Sequence, residues 1–190
     1  MRRISIAFLT LASTVFLFSC GSSRKASRNN FVPFNRDLKQ RLEKENIDLK
    51  QVQFYVDQKL ILSRNMGDQK AEVTSGVVKL ENGKYINEVI VPAFTPGVCD
   101  TLINDRLEIS FEKGNNNLAF GPGSGNTFNE FVLYGMDWRN GTAAVTYDSN
   151  KFRARCGSCQ DVAMATLVVR KKEIDKFERK IRVLKGRKID

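Results

Sequence analysis

The chain has 190 residues, 31 Lys and Arg against 21 Asp and Glu for a net charge of +10, four cysteines, one tryptophan and no histidine. The missing histidine excludes Ser-His-Asp triads, imidazole acid–base catalysis and histidine metal sites. No carboxylate pair is set apart by spacing for glycosidase-type chemistry, so catalysis is unsupported without being excluded; the length suits one medium or two small domains.

The amino terminus comes first. Met1-Arg2-Arg3 precedes a near-continuous apolar run over residues 4–18, which meets Ser19-Cys20-Gly21-Ser22-Ser23 with no intervening charge. Positive start, apolar middle and small-residue exit are the parts of a secretory signal. The run holds about 15 residues where a spanning helix needs about 20, and Ser5, Thr10, Ser13 and Thr14 interrupt it. Leu17-Phe18-Ser19-Cys20 resembles the lipobox of bacterial lipoproteins. That resemblance implies removal of residues 1–19 as a signal peptide and a covalent lipid on Cys20, with no other cofactor expected. The protein would then sit on a membrane without crossing it.

Loss of residues 1–19 leaves 171 residues, with 29 basic against 21 acidic, a net +8. Residues 20–34 begin small, polar and basic and read as a flexible tether. In Bacteroidota lipoproteins, acidic residues just after the cysteine are associated with export to the cell surface. None stands here, and the resemblance then implies an outer-membrane protein facing the periplasm.

A mainly β domain is expected over 35–190, with two small subdomains split near 114–127 as an alternative. It opens on a short helix, since Asn35 suits an N-cap and Leu38 and Leu42 lie four apart. Alternation begins at Val52, Phe54 and Val56, continues at Leu60 and Leu62, and recurs over 73–80, 85–91, 101–111, 128–134, 143–147, 152–155 and 162–170. Turn signals separate these runs, notably Asn82-Gly83, Asn140-Gly141 and loops near 114–117 and 121–126. Short strands at this spacing predict an antiparallel barrel or sandwich. A short helix over 172–177 and a closing strand over 179–185 are expected at the end.

Residues 90–99 and 105–112, with their Pro/Gly turn and alternating run to Phe111-Glu112, resemble a bacterial SH3-like barrel. Gln53-Phe54-Tyr55, Thr74-Ser75-Gly76, Thr95-Pro96-Gly97-Val98 and Lys185-Gly186-Arg187-Lys188 resemble pieces of Bacteroidota outer-membrane lipoproteins. Neither resemblance implies a reaction. In that group Asp100-Thr101-Leu102 also matches a short O-glycosylation motif, which would make Thr101 an acceptor.

Gly121-Pro122-Gly123-Ser124-Gly125-Asn126 reads as a flexible surface loop and not a phosphate cradle, because a strand pattern follows it where a helix is needed. Cys156-Gly157-Ser158-Cys159 is the main chemical feature. Gly-Ser between the runs at 152–155 and 162–170 suits a two-residue turn, which would face the cysteines across a hairpin about 5.5 Å apart in Cα. A disulfide within the pair, a bond from either to Cys99, unpaired thiols, and thiol redox or soft-metal chemistry all remain open.

Residues 170–190 hold ten basic and four acidic side chains, so the basicity is local. Arg179, Lys180, Arg182, Lys185, Arg187 and Lys188 are the candidates there for contact with lipid headgroups, anionic glycan or lipopolysaccharide, or an acidic envelope protein. Nucleic acid is not an expected partner, since an exported lipoprotein does not usually meet any. Tyr134, Trp138 and Tyr147, near strand ends, are the aromatic candidates for contacts, with core packing as the alternative for each. The leading expectation is a non-catalytic binding or accessory subunit of an outer-membrane complex, with redox chemistry and anionic-glycan binding as alternatives.

Overall fold

The computed structural model describes residues 28–67, 76–114, 116–123, 129–159 and 161–179. The signal segment, Cys20, most of the tether, Lys180, Arg182, Lys185, Arg187 and Lys188 lie outside these residues, as does the expected closing strand beyond Arg179.

In chain order the elements are β1 (Phe31–Pro33), α1 (Arg36–Lys44), β2 (Gln53–Val56), β3 (Leu60–Asn65), β4 (Val77–Glu81), β5 (Lys84–Val91), β6 (Pro96–Ile103) and β7 (Arg106–Ser110). There follow β8 (Asn117–Pro122), β9 (Phe131–Leu133), β10 (Met136–Arg139), β11 (Thr142–Tyr147), β12 (Asn150–Cys156), β13 (Leu167–Arg170) and α2 (Lys171–Arg179). The mainly β expectation holds, with a helix near each end of the described chain.

Two antiparallel sheets form, ordered β1-β13-β2-β6-β7-β8-β9 and β10-β11-β12-β3-β5-β4. Alternation decides which side chains face inward. Phe54 and Val56 of β2, Leu107 and Ile109 of β7, and Leu118 and Phe120 of β8 meet Leu60, Leu62, Val145, Phe152 and Ala154 of the second sheet in one buried cluster. The first sheet curls. Isolated bridges from Glu130 to Asn35 and from Val132 to Thr166 bring β9 back towards the far edge, but no ladder closes the circuit. The barrel alternative is thus not realised among the described strands.

The first helix follows the sequence closely. Asn35 is its N-cap, its side chain accepting from Leu38 N at 2.8 Å, and Leu38 and Leu42 are buried in the core. Phe34, just before, is fully buried with its ring 5.0 Å from those of Phe54 and Phe131. At the other end Ile174 of α2 joins the same core and Phe177 packs against it.

Four two-residue turns make the hairpins: Asn82-Gly83, Asn104-Asp105, Asn140-Gly141 and Asp148-Ser149, with both central residues at φ between 47° and 76°. Positive φ at both positions is what a type I′ turn requires. The expected single run over 101–111 is therefore corrected to β6 and β7, because Asn104-Asp105 reaches the left-handed region without a glycine to mark it.

Three other expectations change. Residues 117–122 are the strand β8 between β7 and β9, so Gly121 and Pro122 belong to a sheet and not to a flexible loop. The run over 162–170 is only partly strand, for Val162–Met164 is a 3-10 turn capped by Asp161. β12 pairs with β11 and β3, while β13 lies in the other sheet. Cys156 to Cys159 is consequently the crossing from one sheet to the other and not a hairpin turn.

Candidate functional site

One concavity among the described residues is built where the chain leaves β8 and β9. Beyond β9 the backbone stays anchored on both sides: Leu133 N donates to Ala165 O at 3.0 Å and Tyr134 N to Ala119 O at 2.8 Å. Gly135 then passes tight against β11. A Cβ there would lie 2.5 Å from the Ala143 Cβ and 3.2 Å from the Ala144 carbonyl oxygen, so only glycine brings the chain this close. Trp138 Nε1–H donates back to Gly135 O at 3.0 Å, which orients the indole over the turn.

The result is a cleft of about 440 Å³ lined by residues 121–123, 132–135, Trp138, Asp161 and Ala163. Tyr134 and Trp138 remain 40% and 45% exposed. The guanidinium carbon of Arg106 lies 3.9 Å from the Tyr134 ring centroid, a cation–π contact that steadies the ring from one face. Asp161 Oδ1 accepts from Ala163 N at 2.9 Å, which fixes the carboxylate at the cleft wall.

β10 forms the outer wall. Its pairing with β11 shifts register between Met136 and Arg139, and Asp137 sits at φ 49°. A bulge of this kind re-aims side chains. Trp138 lines the cleft while Met136 and Asp137 line a separate pocket of about 460 Å³ over β3, β11 and β12. Asp137 pins the bulge: its carboxylate meets Arg153 and Arg139 at 2.8 Å each, and Arg153 also donates to its carbonyl. The hydrogen bonds from Arg153 and Arg139 hold the carboxyl below the usual aspartate range.

Of the aromatic candidates, Tyr147 is unavailable for binding. It is buried, and its hydroxyl donates to Glu112 Oε1 at 2.6 Å. Burial, then the Glu112 carboxylate, pushes its phenol upward.

Cys156 and Cys159 are joined by a disulfide, with Cα atoms 5.3 Å apart. Gly157 N donates to Lys59 O at 2.7 Å and Ser158 Oγ to Gln58 Oε1 at 3.1 Å, tying this crossing to the start of β3. Cys99 is a free, buried thiol on β6 in the other sheet, pushed up to about 11 by burial and then by the Asp100 charge. Among the described residues, no group of three or more Cys, Asp or Glu is arranged to hold a metal ion. Thr101 is exposed at the β6 bulge beside a pocket of about 240 Å³ that also includes Cys99. Arg179 ends α2.

Asp161, Arg106 and the walls at Gly121 and Gly123 were not legible as site residues. They come from segments far apart in sequence that only the curl of the first sheet brings together. No known protein family, curated protein or solved structure matches the chain.

Proposed function

We propose that this chain is a lipid-anchored lipoprotein of the outer membrane, facing the periplasm, that acts as a non-catalytic binding subunit and takes an envelope saccharide in the cleft lined by Tyr134 and Trp138. The observation that carries the reading is the pair of exposed aromatic rings on one cleft of small-ligand size. The carbon-bound hydrogens of a sugar ring suit the electron-rich face of an aromatic ring. Its hydroxyls suit the fixed Asp161 carboxylate at the cleft wall.

Binding is favoured over cleavage because the described lining has one carboxylate, Asp161, already engaged as a cap, whereas two-carboxylate hydrolysis needs a second. Cys99 points the same way, since burial holds its thiol protonated. Anchorage rests on the lipobox resemblance at Cys20, with the basic residues that follow suited to an anionic surface.

Trp138 is the only tryptophan in the chain, so its emission reports on the cleft alone. Titration with soluble oligosaccharides released from bacterial envelopes should give a saturable change, abolished by Tyr134→Ala. No saturable change with any such fraction would defeat the saccharide reading. Cys20→Ser should move the protein from the membrane to the soluble fraction, and retention at the membrane would defeat the anchor.

A further inference from the structure

The outer face of the first sheet is apolar at one edge, where an antiparallel sheet commonly turns polar side chains to water. Register partners share a face, so Phe31 of β1, Val168 and Arg170 of β13, Tyr55 of β2, and Pro96 and Val98 of β6 all lie opposite the core-facing Phe54 and Val169. Phe31, Tyr55 and Val168 form a small buried cluster of their own, on which Phe94 packs. Phe94 reaches it from the loop between β5 and β6, with its ring centroid 4.8 Å from that of Phe31 and its backbone at φ 60°, a conformation that bulky residues rarely adopt. The guanidinium carbon of Arg170 lies 4.8 Å from the Tyr55 centroid and 5.8 Å from that of Phe31, a cation held on two aromatic rings. Around this platform the surface stays apolar: Pro92, Ala93 and Pro96 are exposed, and Val98 is 45% exposed.

Two features say what this face meets. β1 opens at Phe31, so the chain enters the fold on this side, and Arg28 stands eight residues beyond Cys20, a reach of at most about 30 Å. The charge also fits a lipid surface. Residues 20–30 carry Arg24, Lys25 and Arg28 and no acid, and β13 runs at Arg170 directly into the exposed Lys171 and Lys172. Residues 170–176 hold four cations against two acids, Glu173 and Asp175. An apolar tip flanked by cations suits the boundary of a bilayer, where rings and aliphatic groups leave water and the cations meet anionic headgroups. We infer that the face built on Phe31, Tyr55 and Phe94 rests on the membrane that holds the anchor, with the Pro92–Phe94 loop in the headgroup layer and Arg170, Lys171 and Lys172 on anionic lipid phosphates. The inference rests on the lipid-anchor reading of Cys20 and adds the orientation of the domain. So small a patch suffices because the tether makes docking an intramolecular step at high effective concentration.

The test places an environment-sensitive fluorophore at either of two exposed positions in the full chain isolated from membranes: Ala93→Cys in the loop, and Lys151→Cys on the second sheet. Cys99 is buried, and Cys156 and Cys159 are paired, so neither competes for the label. The protein is reconstituted into vesicles of phosphatidylcholine, alone or mixed equally with phosphatidylglycerol, that contain a nitroxide lipid as quencher. In the mixed vesicles the Ala93 label should shift to the blue and be quenched several times more strongly than the Lys151 label. The Cys20→Ser chain, added from solution, should prefer the mixed vesicles about tenfold at low salt, and should lose that preference as salt is raised or in the added Lys171→Glu/Lys172→Glu background. Equal quenching of the two labels in membrane-held protein overturns the docking face and leaves the anchor standing. A preference unmoved by the double charge reversal overturns the role of the cations. If mass spectrometry finds no lipid on Cys20 but the Ala93 label is still shielded on mixed vesicles, the anchor reading fails and the docking face stands.

Discussion

Replacing Gly135 with alanine should be among the more damaging single-methyl additions to this fold. The added Cβ would stand 2.5 Å from the Ala143 Cβ and 3.2 Å from a backbone oxygen, against about 3.5–4.0 Å for comfortable carbon contact. Ala143 is fully buried, and neither obstacle can rotate away, so the turn between β9 and β10 must move by about 1 Å. Overpacking of this kind costs about 1–3 kcal/mol, partly offset by the roughly 0.4–1 kcal/mol that Gly→Ala returns by restricting the unfolded chain. The expected net loss is about 1.3 kcal/mol, or about 3–5 °C in Tm for a protein of this size. Gly121 is the control in the same cleft: its nearest obstacle is the Arg106 Cγ at 3.1 Å, part of a flexible side chain, and Gly121→Ala should stay within about 0.5 kcal/mol of the wild type. Urea denaturation of both variants by circular dichroism and Trp138 emission measures the difference. Equal stability of the two variants would refute the close packing of the turn on β11.

The Cys156–Cys159 bond closes a loop with a sequence separation of 3, so its loss in the Cys156→Ser/Cys159→Ser variant should cost about 2 kcal/mol on the chain-entropy scale; a loss above about 4 kcal/mol in urea denaturation would show that the crossing depends on more than loop closure. The Asp137 carboxyl is depressed by Arg153 and Arg139. Its contribution is therefore present above the ordinary aspartate range and lost as pH falls through the lower folded value. Acid titration followed by Trp138 emission should show a shift below the ordinary aspartate range that Asp137→Asn lacks, and an unchanged profile in that variant would exclude the clamp. Cys99 should resist alkylation at pH 8 in the folded protein and react once it is unfolded, because burial holds its thiol near 11; rapid native labelling would contradict its burial.

The parts of the fold that could be read in the sequence are those where one local rule decides the outcome. Asn35 as a cap, Leu38 and Leu42 on one helical face, and Asn-Gly turns at 82–83 and 140–141 need no knowledge of distant residues. β8 was obscured because Gly121 and Pro122 carry loop character, yet Pro122 pairs with the short edge strand β9, where a missing N–H is tolerated. β10 is exposed along all four residues, so it shows no alternation to detect. For the site, Tyr134 and Trp138 stood out as aromatic residues near strand ends. Asp161 and Arg106 did not, since one caps a 3-10 turn and the other lies on a strand in the first sheet. The crossing at Cys156 to Cys159 looked like a hairpin because nothing local says that β12 and β13 belong to different sheets.

The pairing of β3 has a bearing on how the chain reaches this state. β5 joins one side of β3 from nearby in sequence, but the other side waits for β12, with Ser63 and Arg153 coming together across 90 residues. Such late, non-local pairing slows folding. Until β12 arrives, Leu60 and Leu62 lie on a strand with one bare edge, a template for mispairing with another chain. In a refolding experiment, aggregation should therefore rise with protein concentration before the β3–β12 ladder forms, and a short peptide spanning 150–156 should suppress it.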